Sequence, residues 1–437
     1  MMKKVILLTI AIFMQIGLLF GQTVVRTALV EDASTGYAGG IIRSWKSNKA
    51  VAFHVRGGQQ LFSLIDSASS TAYSASVPDF YTISDFRIVG DTAYCCGSSH
   101  DTAMVAYFNI NELVKIPYVG LNVILLDKLR IVTRIAAYRN RMKCGVGIAA
   151  IGEEVRKIEE HTYFQSHMIW CDNFFSSTFF CKERECDITW NLLTPSEKLS
   201  DVVVTANYVA FVGIYTNSNI LCVRRGDING IFSSSLIDTV HRYTYTFGTI
   251  ESLPIAEPLE KDSLAVAVAC EDVQGEHAEQ IYLFDLSTMA MNNTQRIKLS
   301  EGEKVSVNEL VYMRNQRKLL TAVESSDGHQ IIYTNPFAYG SYYAKTLEPT
   351  TGDIICSMDR HNGSYYILST LHHWMLQRMG AMPTSNTCVK EGYREVTLWY
   401  VNLDAPIWHK LLTNSYPTVH RRLPTTLFFT RPYCIDY

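Results

Sequence analysis

The side chains best suited to chemistry fall into a few short clusters. The stretch "LHHWML" joins His372, His373 and Trp374; "GSYYAK" carries Tyr342 and Tyr343; "PIWHK" carries Trp408 and His409. In "FFCKERECDITW", Cys181 and Cys186 flank four charged residues, with Cys171 and His167 upstream. Imidazoles bind metals or move protons. Aromatic rings with a polar edge stack on sugars or peptides. Paired thiols close a disulfide or hold zinc.

Each cluster also has a plainer reading. Neighbours on a strand point to opposite faces, so His372 and His373 cannot readily share a metal. His372 and Trp374 share a face and can line a small pocket, or simply end a partly exposed strand. With 25 tyrosines in the chain, packing between sheets accounts for Tyr342 and Tyr343 as well as binding does. The polar "KERE" reads as a hairpin tip at which Cys181 and Cys186 could be bonded. The C-x-x-C spacing of structural zinc sites is absent, so zinc ranks below the disulfide. The cysteine count of 11 is odd, which leaves at least one thiol over. Cys95, Cys96, Cys144, Cys222, Cys270 and Cys356 lie in apolar runs and read as small hydrophobes.

No phosphate loop, dinucleotide glycine pattern, G-x-S-x-G or H-E-x-x-H occurs, so neither a cofactor nor a metal is expected. Net charge is −3 without a Lys/Arg run, which argues against a nucleic-acid partner. The chain has 437 residues, 47% hydrophobic and 19% charged, and so carries enough apolar surface for a large core.

The N-terminus opens with Lys3 and Lys4, continues through an apolar run from Val5 to Phe20, and reaches the small Gly21. That is a signal-peptide pattern, with residues 1–21 removed and Gln22 at the new end. The run is shorter than the roughly 20 residues a membrane helix needs, and no later run reaches that length. The expectation is an exported chain, periplasmic, cell-surface or secreted, with no membrane span after cleavage.

The elements that must position these clusters are short strands. Helical periodicity is scarce, and apolar or alternating runs alternate with Gly, Asn, Asp and Ser turns. "GEEVRKIEEH" (152–161) is open to either helix or strand. The runs group into units of an apolar strand, a turn, a more apolar strand, and a third strand ending in a turn. Units begin near Ile41, Ser84, Val132, Ser200, Ile255, Asn308 and Asp353, roughly 45–70 residues apart. Two of them echo each other: "SDFRIVGDTAYCCG" from Ser84 and "SDVVVTANYVAFVG" from Ser200 share Ser, Asp and a final Gly. In "SLAVAVAC" both strand faces are small or apolar, as in a sheet sandwiched between two others. The reading is an all-β protein: one β-propeller domain spanning 22–437, with seven four-stranded blades and six or eight as alternatives. A β-sandwich would alternate more cleanly, and a β-helix would need shorter rungs. "TVVRTALVED" (Thr23–Asp32) has no sister strands and is expected to close the ring with "TTLFFTRPYCIDY".

On these units the chain resembles secreted β-propellers loosely related to WD40 and Kelch folds. Gly39-Gly40 and Gly57-Gly58 are Kelch-like pairs, although they do not recur, and neither a Trp-Asp blade end nor a sialidase S-x-D-x-G-x-T-W box is present. The leader, with Gln after a short Phe-Gly end, resembles exported proteins of Bacteroidetes-type bacteria. That resemblance implies sugar attachment at Asp66-Ser67-Ala68, Asp101-Thr102-Ala103 and Asp238-Thr239-Val240.

Two functions are consistent with such a chain. One is a non-catalytic propeller binding a protein or glycan partner through its loop faces, with His372, Trp374, Tyr342, Tyr343 and Trp408 as candidate contacts. The alternative is an enzyme acting on an extracellular or periplasmic glycan, whose acid and base come from different blades and meet at the central channel. Fold alone does not choose between them.

Overall fold

The computed structural model describes residues 24–26, 29–32, 41–46, 49–56, 59–66, 71–140, 145–158, 161–171, 174, 182–185, 197–215, 220–228, 239–244, 249–271, 274–301, 306–313, 317–325, 328–337, 345–347, 353–361, 364–372, 393–402, 407–410 and 428–430. Residues 1–21, where the sequence leads one to expect a leader, lie outside them. Within them the chain is nearly all strand, plus one short 3-10 helix, Ile110–Val114. No helix among these residues is long and apolar enough to cross a membrane.

The described residues form seven antiparallel sheets of four or five strands. Sheet 1 holds Ile41–Ser44, Lys49–Arg56, Gln59–Asp66 and Thr71–Ser76. Sheet 2 holds Tyr81–Val89, Thr92–Ser99, Thr102–Asn109 and Asn122–Leu126. Sheet 3 holds Ile131–Asn140, Gly145–Ile158, His161–Cys171 and Lys182–Glu185. Sheet 4 holds Glu197–Val204, Tyr208–Tyr215, Ile220–Asp227 and Thr239–Thr244. In sheet 5, Thr249–Ile250 and Ile255–Pro258 share one side of Ser263–Glu271, followed by Glu276–Asp285 and Ala290–Glu301. Sheet 6 holds Ser306–Met313, Lys318–Ser325, Gly328–Thr334 and Lys345–Leu347, and sheet 7 begins with Asp353–His361, Ser364–His372 and Tyr393–Asn402. The inner strand of each sheet, which is Ile255–Pro258 in sheet 5 and the first strand in the others, touches the inner strand of the next. Asp353–His361 in turn touches Ile41–Ser44, so the cycle closes.

The closing sheet draws on both ends of the chain. Leu29–Asp32 and Ile407–Lys410 share the outer edge of Tyr393–Asn402, each covering part of it. Val24–Arg26 pairs with Phe428–Thr430, but as a separate two-stranded ribbon rather than inside the shared sheet. The edge of the last sheet is thereby covered, which removes a template for pairing with other chains.

Two further sequence expectations resolve into strand. Residues 152–158 continue Gly145–Ile158. "KERE" is not a hairpin tip: Lys182–Glu185 is the outermost strand of sheet 3, paired with His167–Trp170. Charged side chains suit an edge strand for the same reason that they suit a tip, since both face solvent.

Each of the five seams from sheet 1 to sheet 6 has its own apolar core. Between sheets 1 and 2, Phe62 packs on Phe53, Phe86 and Phe108, with ring centroids 5.1, 5.3 and 4.8 Å away. Burying a side chain of that size contributes about 1.5–3 kcal/mol. Ile110 and Leu113 of the 3-10 helix wedge into the same seam. Cys95, Cys96, Cys222 and Cys270 are buried thiols; Cys95 and Cys270 donate to the Ala106 and Ala278 carbonyls, and Cys222 donates to Glu197 Oε1 at 3.1 Å. Burial pushes the Cys95 thiol up to about 12. In the seam between sheets 5 and 6, Ala265, Ala267, Ile281 and Leu283 face Leu310, Leu319 and Val323. Glu279, fully buried, sits in this second seam opposite Thr321. Burial raises its carboxyl to about 8, and the Thr321 hydroxyl offsets this only in part.

Five of the seven inner strands share a defect. A register shift falls between Ile83 and Asp85, Val132 and Arg134, Leu199 and Asp201, Val307 and Glu309, and Ile355 and Ser357. Each leaves one residue bulged: Ser84, Thr133, Ser200, Asn308 and Cys356. A bulge twists the strand and re-aims the side chain after it. Gly97 lies opposite Ile83 and Gly213 opposite Leu199. A Cβ on Gly97 would sit 1.7 Å from the Thr82 carbonyl oxygen, and one on Gly213 would sit 2.2 Å from that of Lys198. The Ser-Asp…Gly echo is therefore structural: bulged residue, re-aimed acid, and the glycine that lets the next strand approach.

Gly97→Ala and Gly213→Ala should each destabilise the fold by about 1–3 kcal/mol in urea unfolding, because backbone rather than a movable side chain blocks the methyl group. Gly120→Ala, with nothing within 4 Å, should be neutral. Glu279 gives a pH signature. Its folded pKa lies above the unfolded value of 4.5, so its own contribution to stability is full below 4.5 and is lost as pH rises to about 8. Thermal melts across that window should show the decline, and Glu279→Gln should flatten it and raise Tm at pH 8.

Candidate functional site

The re-aimed side chains converge where the seven inner strands meet. Asp85 of sheet 2 is the hub. Its Oδ1 accepts from the Phe86 N–H at 2.8 Å, from Arg87 Nη1 at 3.0 Å and from Arg43 Nη2, on sheet 1, at 3.2 Å. Its Oδ2 accepts from the Ile135 N–H of sheet 3 at 3.3 Å. Asp201 of sheet 4 repeats the arrangement. The Val202 N–H donates to Oδ1 and the Ala256 N–H of sheet 5 donates to Oδ2, both at 2.9 Å. Glu257 of sheet 5 accepts from the Tyr312 N–H of sheet 6 at 3.0 Å. Cations make the same reach: Arg43 Nε donates to the Phe86 carbonyl at 3.2 Å, and Arg134 Nε of sheet 3 donates to the Ser200 carbonyl at 3.4 Å.

The charges at the axis interact across the ring. Burial works against the Asp85 carboxylate, but Arg87, Arg43 and Arg134 outweigh it and hold its pKa below the usual aspartate range. Burial raises Asp201, with Arg134 and the Ala256 N–H pulling back. Burial likewise raises Glu309, against the pull of Arg43, Arg134 and Arg87. Burial also disfavours the Arg134 cation, yet Asp201, Asp85 and Glu309 keep it charged. Among the described residues no group of three His, Cys, Asp or Glu side chains is placed to hold a metal ion.

The clusters singled out from the sequence lie elsewhere. His372 ends Ser364–His372 opposite Arg394, and Trp408 lies opposite Val401 in the outer part of sheet 7. Trp374, Tyr342, Tyr343, Cys181 and Cys186 fall outside the described residues. His167, weighed as a metal ligand, is buried with Nε2 3.1 Å from Glu154 Oε2. The axial residues passed unnoticed, although each is a charge inside an otherwise apolar inner strand, as in "SDFRIV", "VTRIAAY", "SDVVV" and "NELVY".

No protein-family model and no curated protein matches the chain. Among solved structures it is similar to prolyl oligopeptidase B from Galerina marginata, with a TM-score of 0.51 and 8% identity over 86% of this chain and 51% of that one. It is also similar to an acylaminoacyl peptidase from Pyrococcus horikoshii, with a TM-score of 0.49 and 9% identity over 87% of this chain and 53% of that one. A third likeness is to the β-propeller domain of the Trilobed protease from Pyrococcus furiosus, with a TM-score of 0.41 and 9% identity over 74% of this chain and 82% of that one. The fold is a β-propeller. This propeller chain spans about half the length of the two peptidases, and at such identities the likeness is one of architecture alone.

Asp85→Asn should cost about 3–5 kcal/mol, because it removes the charge that two largely buried guanidinium groups share. The sign with pH is opposite to that of Glu279. A lowered folded pKa gives stability that is present above the unfolded aspartate value and lost as pH falls through the folded one. Urea unfolding between neutral and acid pH should show that acid limb in the native chain and a weaker one in Asp85→Asn.

Proposed function

We propose that the chain is an exported, non-catalytic propeller of seven blades that holds a protein or glycan partner on its loop faces. One observation carries this reading. Asp85 and Asp201, two of the axial acids, have both oxygens committed to backbone N–H groups of their own and the next sheet. A carboxylate so engaged is a structural clip, and freeing it for proton transfer would loosen the ring.

The loops meanwhile offer exposed rings. Phe80, just before the first strand of sheet 2, is 47% exposed and stacks on His100 at 5.6 Å. Tyr118, in the connection to Asn122–Leu126, is 64% exposed. Aromatic side chains of this kind supply contact area to a partner at small entropic cost.

The test is a glycan array and a surface-extract pull-down with the mature chain, alongside turnover assays on glycosides. A retained partner whose affinity falls about tenfold or more in Phe80→Ala or Tyr118→Ala supports the reading. Turnover that disappears in Asp201→Asn or Glu309→Gln would replace it with the enzyme alternative.

A further inference from the structure

Among the described residues, the outer strands of the sheets are guarded in every case but one. Charge guards sheets 3 to 6. Lys182–Glu185 is charged throughout, Thr239–Thr244 carries Arg242, Ala290–Glu301 carries Arg296 and Lys298, and Lys345–Leu347 begins with Lys345. In sheet 1 the end of Thr71–Ser76 is met by the segment that follows the 3-10 helix. There the Ser76 N–H donates to the Pro117 carbonyl at 2.8 Å, and the Val119 N–H donates to the Ser76 carbonyl at 2.9 Å. Sheet 7 is covered by Leu29–Asp32 and Ile407–Lys410. Asn122–Leu126 of sheet 2, "NVILL", has neither device. It pairs with Thr102–Asn109 on its inner side, and among the described residues no strand lies on its outer side. An edge strand turns a row of unpaired backbone N–H and C=O groups outward.

The surface beside this edge is apolar as well. Seven large hydrophobic side chains are exposed among the described residues, and four of them fall within residues 114–125: Val114, Ile116, Tyr118 and Leu125. Val123 packs on the core between sheets 1 and 2, which also holds Ile110 and Leu113 of the 3-10 helix. Leu125, two residues on, shares its face of the strand and is 49% exposed. Just past the strand stand two exposed cations, Lys128 and Arg130, against one exposed acid, Asp127. We infer that the edge accepts a strand from a partner protein. The segment is extended and antiparallel to Asn122–Leu126. It is apolar at the alternate positions that share the face of Val123 and Leu125, and acidic at its N-terminal end, which an antiparallel pairing brings to Leu126, Lys128 and Arg130. Main-chain hydrogen bonds continue the ladder, and the side chains select the segment. A second copy of the chain is the poorer occupant, because "NVILL" brings no acid to the two cations.

The edge serves the binding role already proposed and rests on that reading, but it lies at the fourth strand of sheet 2, whereas Phe80 precedes the first. Fluorescence anisotropy on the full chain would use labelled synthetic peptides of alternating valine and threonine, led by aspartate. The native chain should bind them saturably. Leu125→Lys should weaken binding about tenfold or more. Lys128→Glu should weaken it less, with the difference growing at low salt. Peptides with proline at alternate positions lack the main-chain donors and should not bind. Phe80→Ala should bind as the native chain does. Leu125 and Lys128 are exposed, so both variants should keep the native Tm. No binding by the native chain, or equal binding by Leu125→Lys or of the proline peptides, overturns the strand site. Sedimentation that shows a native dimer and a monomeric Leu125→Lys overturns it in favour of a second copy. Capture from surface extracts that falls in Phe80→Ala but not in Leu125→Lys also overturns it, while leaving the loop-face reading intact.

Discussion

A flat strand carries alternate side chains to opposite faces, and in a ring of sheets both faces lead into apolar seams. Polar groups on the inner strands would then be buried without partners. The bulges at Ser84 and Ser200 remove that conflict by turning Asp85 and Asp201 along the ring, where the next sheet presents a free N–H. Sheets that touch through apolar side chains alone could slide. A carboxylate that accepts from a particular amide fixes the register of one inner strand against the next, and losing either member leaves a buried polar group unmet. The seams supply most of the burial, while the clips decide how the sheets sit.

This division explains what could be read from the sequence. Strand units and their order were legible because each second strand, such as Ser263–Glu271, is apolar on both faces and the turns fall between units. The recurrence of Ser, Asp and Gly was visible, but its cause was not, because a bulge is a relation between two strands and leaves only a faint mark on one. The axial cluster was illegible for a related reason. Arg43, Asp85, Arg134, Asp201 and Glu309 are far apart in sequence and meet only because the ring is closed. The chemistry-bearing clusters that stood out, such as "LHHWML" and "FFCKERECDITW", did so by local density, whereas a propeller gathers its polar centre from residues spaced one sheet apart.

The two buried acids with opposite pH signatures mark the two environments the fold provides. Glu279 lies in a seam among alanine and aliphatic side chains, with one hydroxyl for company, and the neutral form prevails. Asp85 lies on the axis among three arginines, and the charged form prevails. Similar burial gives opposite outcomes because neighbouring charges decide which protonation state burial leaves in place.

The ribbon between Val24–Arg26 and Phe428–Thr430 bears on the order of folding. Its two strands are separated by almost the whole chain, and so are Leu29–Asp32 and Tyr393–Asn402. Hairpins within each sheet can form as soon as they are made, but the first strand must wait for the last sheet. Closing so long a loop carries an entropic penalty that contacts repay only at the end, and folding dominated by such distant pairings is slow. Through that interval the faces of sheets 1 and 7 that later meet remain open, and the unfinished ring is the species most exposed to association with other chains.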